Sequence, residues 1–207
     1  MKIAAKCKLC RRSGEKLFLK GERCQTPKCA MVKRNYPPGS HGQKRRRRLS
    51  SYGIHLREKQ KVRYMYALTE TQLRNYMKKA MNKKGNTGQL FLQQLESRLD
   101  NVIYKLGLAA SRIQARQIIT HGHIQINGKK VSFPSYQVSP KEAIQIRKKS
   151  LESDFFKNLK KKIEKHQVPS WLDLDKKELK GKVINQPQEK DLELGIQTQL
   201  LVEFYAK

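Results

Sequence analysis

Ser111-Arg112-Ile113-Gln114-Ala115-Arg116-Gln117-Ile118-Ile119-Thr120-His121-Gly122-His123-Ile124-Gln125-Ile126-Asn127-Gly128-Lys129-Lys130-Val131-Ser132-Phe133 changes structural period half-way along. Ser111 followed three residues later by Gln114 has the form of a capping box and opens a short helix to about Thr120. Ile118 and Ile119 bury, and His121-Gly122 ends the helix, because glycine adopts positive φ at little cost. Ile124 and Ile126 then alternate with polar residues. Asn127-Gly128 is the strongest short hairpin signal, so Lys129 to Phe133 returns antiparallel. Tyr136, Val138, Ala143, Ile144 and Ile146 continue the alternation. The fold expected is two short helices leaning on a small antiparallel sheet. Arg112 and Arg116, four apart, share a helix face, and with His121, His123, Lys129 and Lys130 they converge on one edge. The two histidines have no acidic or thiol neighbour, which favours hydrogen bonding or stacking over metal ligation.

Outward from this unit the pattern is helical. Leu92, Leu95, Leu99, Val102 and Leu106 recur at alternating steps of three and four, predicting one helix that ends at Gly107 with Lys105 in its last turn. Before it, Gly85-Asn86-Thr87-Gly88 breaks the chain, with Thr87 as the expected cap. Thr69-Glu70-Thr71-Gln72 is another capping box, ahead of a stripe of Leu73, Tyr76, Met77, Ala80 and Met81. Leu56, Lys59, Arg63 and Tyr66 share a face of an earlier helix, whose cations predict a surface lying on nucleic acid rather than on protein.

Charge decides the class of partner. The 207 residues carry 46 Lys plus Arg against 17 Asp plus Glu, a formal net charge of +29. Such a chain repels itself unless a polyanion neutralises it. Residues 1–65 hold 20 basic and 3 acidic side chains, 66–167 hold 20 and 7, and 168–207 hold 6 and 7. The front and middle therefore meet the polyanion, and the near-neutral tail packs on protein. Lys44-Arg45-Arg46-Arg47-Arg48 buries nothing, and its guanidiniums fork onto phosphate oxygens; a nuclear-localisation tract competes for this run. Lys160-Lys161-Lys162 reads equally as a solvated face. No apolar run nears the roughly 20 residues of a membrane helix, no basic amphipathic helix with an aromatic face favours a membrane, and Met1 to Lys8 lacks a secretory apolar stretch. A cytoplasmic chain with reduced thiols is expected.

All four cysteines lie early, as Cys7-x2-Cys10 and Cys24-x4-Cys29. Two such knuckles supply four thiolates to a tetrahedral ion. Only Leu17, Phe18 and Leu19 lie between them to form a core, so burial alone does not fold the segment. Structural zinc, with roughly 10–16 kcal/mol in finger peptides, would do so. An iron–sulfur cluster takes the same ligands and is the lesser alternative, with disulfides or free thiols behind it. Four thiolates leave no open coordination position, which argues against a catalytic metal.

Ser97-Arg98-Leu99-Asp100-Asn101-Val102-Ile103-Tyr104, followed by the Ser111 to Lys129 stretch, closely resembles the small RNA-binding module named after the fourth protein of the small ribosomal subunit. The same module occurs in pseudouridine synthases, a tyrosyl-tRNA synthetase tail and heat-shock proteins. The cysteine spacing, Pro38-Gly39-Ser40-His41-Gly42, Tyr52-Gly53, Leu56 to Lys61, Gly85 to Gly88, Trp171-Leu172 and Leu201 to Tyr205 extend the resemblance to that ribosomal protein family, nearly end to end. Ser40, Ala67 and Ile113 depart from it, standing where the family more usually has Gln, Gly, and Arg or another polar residue.

The resemblance implies an α+β chain: a mostly helical domain with an inserted RNA-binding module, plus an N-terminal zinc-knuckle extension. It implies a metal-binding basic extension at 1–45, a helical rRNA-binding domain at 46–92 completed by about 185–207, and the inserted module at 93–184. The metal ligands are Cys7, Cys10, Cys24 and Cys29. The RNA-binding residues are Arg11, Arg12, Lys44, Arg45, Arg46, Arg47, Arg48, Tyr52, Arg57, Lys59, Gln60, Lys61, Arg63, Arg98, Ser111, Arg112, Gln114, Arg116, Gln117, His121, His123, Asn127, Lys129 and Lys130. It also implies binding to small-subunit rRNA at a junction of several helices early in assembly, contact with ribosomal proteins five and three and with mRNA where it enters, and an influence on decoding accuracy. A cytoplasmic ribosome is the location implied, with an organellar ribosome as the alternative. No membrane, small-molecule substrate or catalysis is implied. An RNA-modifying enzyme needs paired carboxylates, a phosphate loop or a nucleophile–His–acid set, none of which is found. A zinc DNA-binding regulator needs a groove-reading helix, which Leu17-Phe18-Leu19 and Gly21 do not make.

Overall fold

A computed structural model describes residues 5–44, 48–163, 166–176, 178–192 and 195–206. Arg45, Arg46 and Arg47 lie outside the described residues, as do the side chains of Lys160, Lys161 and Lys162. In chain order the helices are α1 (Lys6–Ser13), α2 (Ala30–Lys33), α3 (Ser51–Met65), α4 (Glu70–Met81), α5 (Thr87–Glu96), α6 (Leu99–Lys105), α7 (Arg112–Thr120), α8 (Lys148–Leu151), α9 (Asp154–Ile163) and α10 (Thr198–Ala206). The strands are β1 (Ile124–Ile126), β2 (Lys129–Lys130), β3 (Ala143–Ile146), β4 (Leu172–Asp175) and β5 (Lys180–Val183). Two compact units result, Met1–Phe91 with Glu193–Lys207, and Leu92–Leu192.

In the first unit, α4 opens on the reciprocal cap expected: Thr69 Oγ1 accepts from the Gln72 N–H and Gln72 Oε1 from the Thr69 N–H. Leu73, Met77 and Ala80 bury, whereas Met81 at the stripe's end stays exposed. The next cap differs from the expectation. Asn86, not Thr87, accepts from the N–H groups of Gly88 and Gln89, because Thr87 already has helical backbone and the preceding residue holds the N-cap position.

Helix α3 corrects a larger expectation, since its cationic face lies on protein. Helix α10 packs along it, leaving Glu58, Lys59 and Lys61 buried. Lys59 Nζ donates to Glu70 Oε1 at 2.9 Å and lies 4.6 Å from the Phe204 ring centre. Lys61 Nζ donates to the Gly195 carbonyl and pairs with Glu15 at 2.8 Å and Glu58 at 3.3 Å. The Gln197 N–H donates to Glu58, His55 Nε2 stands 2.7 Å from Glu203, and the Tyr205 hydroxyl donates to Glu70. Lys59 and Lys61, whose local pattern suggests RNA, thus meet Glu15, Glu58 and Glu70 together with the tail's Gly195 carbonyl and Phe204 ring. Ala67, just beyond α3, has φ +52°, which explains physically why glycine suits that position.

In the second unit the strands form one antiparallel sheet in the order β2-β1-β3-β5-β4. The Asn127-Gly128 hairpin is present, with φ +48° and +82° at the two residues, the signs a type I′ turn requires. Sheet and helices enclose Leu99, Val102, Ile103, Leu106, Ala115, Ile118, Ile119, Ile124, Ile126, Ile144 and Ile146. The sheet is larger than the sequence pattern indicated, because β4 and β5 were not foreseen. A Cβ on Gly181 in β5 would stand 2.5 Å from Leu106 Cδ1, so only glycine lets this strand approach α6. Helix α9 also escaped the pattern. It is the one strongly amphipathic basic helix among those described, and it spends Phe156, Leu159 and Ile163 on the core. The long helix predicted over Leu92 to Leu106 is two, α5 and α6. The break at Ser97-Arg98 has a cause: Ser97 Oγ donates back to the Gln93 carbonyl, and Arg98, in extended backbone, pairs with Gln137.

Candidate nucleic-acid interface

The cap of α7 holds in one direction. Ser111 Oγ accepts from the Gln114 N–H at 3.3 Å, but Gln114 Oε1 takes its hydrogen bond from Ala110, not Ser111. From this helix Arg112 and Arg116 extend towards α6, where a buried polar network receives them. Arg98 is fully buried, its Nε and Nη2 donating to the two Asp100 oxygens at 3.0 and 2.6 Å. Arg116 Nη2 reaches the same carboxylate at 3.8 Å. Asn101 donates to the Glu96 carboxylate at 2.6 Å and carbonyl at 3.0 Å, and accepts from Arg112 Nε at 2.7 Å. The Arg112 guanidinium stacks 4.8 Å over Tyr104. Sequence reasoning named the arginines but missed Glu96, Asp100 and Asn101 as the network's other members; the signal was polar residues set among the buried apolar positions Leu95, Leu99 and Val102. Arg98 and Arg112 are inward-facing, correcting the expectation that they present charge at the surface.

Of the module residues expected to meet RNA, Gln117, His121, Asn127, Lys129 and Lys130 are exposed. Asn127 Oδ1 accepts from the Ala143 N–H, tying the hairpin tip to β3. His123 is half-buried: Nδ1 stands 2.9 Å from Ser150 Oγ, and its ring lies between His121 at 6.1 Å and Phe156 at 5.7 Å. Burial, and then repulsion from His121 and Arg147, pull its pKa below the ordinary value of 6.5.

In the first unit Arg12, Lys44, Arg48, Tyr52 and Arg57 are exposed, and the Tyr52 ring sits 5.9 Å from Phe204. Arg11 is anchored: it donates to the carbonyls of Tyr36 and Pro37 at 2.8 and 3.1 Å and lies 4.8 Å over the Tyr36 ring. Arg63 bonds Gln60 and lies 3.7 Å from Glu70. Burial raises the Glu70 pKa, but hydrogen bonds from Lys59 and Tyr205 and the nearby cations outweigh it and leave the pKa lowered.

The four cysteines border one small pocket with Leu19, Ala30 and Met31. The Lys20 N–H donates to Cys24 Sγ at 3.4 Å, and the Leu17 N–H to Cys10. Burial, together with the neighbouring sulfurs, pushes the Cys10 thiol up. Among the described residues, no group of three or more His, Cys, Asp or Glu side chains is arranged as a metal site. The donor set nevertheless fits a soft ion, being four sulfurs on one pocket with two already accepting backbone N–H groups.

Two family models match the chain in succession, the ribosomal protein S4/S9 N-terminal domain over residues 2–96 and the S4 domain over residues 97–144. Small ribosomal subunit protein uS4 of Thermus thermophilus is 51% identical over 205 residues, covering 99% of this chain and 98% of that protein. The chain belongs to the uS4 family. Its uS4 relatives from Koribacter versatilis and Acetivibrio thermocellus are each 50% identical, over 98% of this chain and 97% of theirs. The mixed helices and antiparallel sheet, part of which lies within the S4-domain match, agree with that membership. No described helix is long and apolar enough to cross a membrane.

Proposed function

We propose that this chain is a non-catalytic, ribosome-bound constituent of the small ribosomal subunit that binds small-subunit rRNA and holds a multi-helix junction together so that later proteins join. The observation that carries this reading is the match of both family models along residues 2–144, with uS4 relatives about half identical from end to end. The charge of +29 supplies the driving force, since A-form RNA is recognised mainly through shape, phosphates and 2′-hydroxyls. In this proposal Arg12, Lys44, Arg48, Arg57, Lys129 and Lys130 meet phosphates, Gln117 and Asn127 bond riboses or base edges, and Tyr52, His121 and His123 stack. Arg11, Lys59, Gln60, Lys61, Arg63, Arg98, Ser111, Arg112, Gln114 and Arg116 position those groups. Arg45, Arg46 and Arg47 complete the basic run on sequence grounds alone.

The functional division proposed is an arm at 1–45, a helical domain at 46–92 completed by 185–207, and a module at 93–184. Cys7, Cys10, Cys24 and Cys29 would hold a structural zinc ion, which stabilises the arm by closing a segment whose own core is small. The shared pocket and the N–H···S bonds support this. Ribosomal proteins five and three, and mRNA where it enters, complete the proposed surroundings, in the cytoplasm or an organelle. Reconstitution of the small subunit from rRNA and its proteins with this chain withheld tests the reading. Incomplete particles, restored on adding the chain, are expected; complete particles without it would overturn the proposal.

A further inference from the structure

Residues 1–65 carry 20 basic side chains and only three acidic ones, Glu15, Glu22 and Glu58. Two of those three carboxylates converge on a single ammonium. Lys61 Nζ lies 2.8 Å from Glu15 Oε2 and 3.3 Å from Glu58 Oε1, and it donates to the Gly195 carbonyl. Lys61 and Glu58 are buried, and Glu15 is exposed. The acceptors come from three separate stretches of one compact unit. Glu15 follows Gly14, the left-handed residue that closes α1 on the N-terminal arm. Glu58 stands one turn before Lys61 on α3, and Gly195 belongs to the C-terminal tail just ahead of α10. The same Glu58 carboxylate fixes the tail a second time, because the Gln197 N–H donates to Glu58 Oε1 at 2.9 Å.

We infer that Lys61 is an interlock that couples the N-terminal arm to the C-terminal tail, so that loosening either end of the chain loosens the other. A lysine ammonium has three N–H donors and accepts nothing. Here arm, helix and tail each supply one acceptor. A charge held away from water is tolerated only while its partners stay in place. The acceptors are therefore not independent: if the arm or the tail departs, the contacts that remain must hold a less compensated ammonium. Such coupling is reciprocal, because each segment shifts the other's equilibrium by the same factor. A contact that pins the tail thus also steadies the arm and the thiol pocket it carries. Lys59, two residues earlier on α3, is also buried but serves a different link, bonding Glu70 on α4 and lying on the Phe204 ring. The interlock is set by the chain itself and holds whatever the chain binds.

The test follows the full-length chain by NMR. Hydrogen exchange at the Gln197 amide reports the tail, and amide nitrogen relaxation at Gly14 and Lys20 reports motion of the arm. Lys61→Met is expected to speed Gln197 exchange about tenfold or more and to raise the arm's mobility. Glu15→Gln changes only an exposed side chain of the arm, yet it too is expected to speed exchange at Gln197. Its effect is smaller, about two- to fivefold, because an ion pair with one partner in water is weak. In the Lys61→Met background Glu15→Gln should add nothing, since the two residues act through one contact. Lys59→Met should leave the arm's mobility as in the parent. An unchanged Gln197 amide in Glu15→Gln, a Glu15→Gln effect that persists in full without Lys61, or an arm loosened equally by Lys59→Met overturns the interlock. Should Lys61→Met fail to fold, the response of Gln197 to Glu15→Gln decides alone.

Discussion

Replacing Asp100 by Ala tests the network that orders the module. Asp100 is 3% exposed and receives Arg98, itself at 0%, through two hydrogen bonds of 3.0 and 2.6 Å, with Arg116 at 3.8 Å. The substitution leaves the Arg98 guanidinium buried without its carboxylate, an uncompensated charge that costs about 3–5 kcal/mol. Native domains hold only about 5–15 kcal/mol in total, so much of the second unit's stability goes. With a urea dependence of about 2 kcal/mol per molar, the midpoint moves down by about 2 M. Trp171 is the chain's one tryptophan and is buried in the core of this unit, so its fluorescence reports this unfolding. The double variant Asp100→Ala with Arg98→Met removes both charges, and it should recover most of the loss, because apolar replacement of a whole buried pair is often close to neutral. A midpoint shift below about 0.5 M for Asp100→Ala alone, or a double variant less stable than the single, would refute the reasoning.

His123 has a folded pKa below its unfolded value, so the native module binds fewer protons; stability is full above pH 6.5 and falls as pH drops below it. A proton-NMR titration of His123 should give a midpoint under 6.5, and one at or above that value contradicts the assignment of burial and repulsion. Ala67→Val places a β-branched residue at φ +52° and should cost about 1–3 kcal/mol. Ala67→Gly should stay within about 1 kcal/mol of the parent, because relief of the left-handed backbone is offset by chain entropy and a lost buried methyl. Thermal unfolding followed by circular dichroism separates these outcomes. Cys24→Ser should abolish retention of zinc measured by atomic emission, and metal content equal to the parent's defeats the structural-zinc proposal.

The module was legible because its signals are local. The Ser111 cap, the Ile118/Ile119 pair, Gly122 and the Asn127-Gly128 turn each dictate their geometry within four residues, and α7, β1 and β2 stand where those signals put them. What stayed hidden is non-local. Lys59 and Lys61 lie in a cation-rich helical stretch that reads locally as RNA-facing, and only the arrival of the C-terminal segment from more than 130 residues away places them on protein. Strands β4 and β5 are four residues each, and Gly181 interrupts the alternation of β5 because Leu106 occupies the space a side chain would take. The break at Ser97-Arg98 is concealed because apolar spacing runs through it unbroken, whereas the hydrogen bonds that cause it involve Gln93, Gln137 and Asp100. On the arm, the cysteine spacing drew attention to the thiols, but the meeting of Glu15 with Lys61 needed the folded chain.

The most direct measurement is the affinity of the full chain for folded small-subunit rRNA against an unrelated structured RNA of equal length, at physiological salt. Cations placed by a folded scaffold should favour the ribosomal transcript by at least tenfold, with a gap that persists as salt is raised. Equal affinity for the two RNAs at every salt concentration would reduce the chain to a nonspecific polycation and contradict the account.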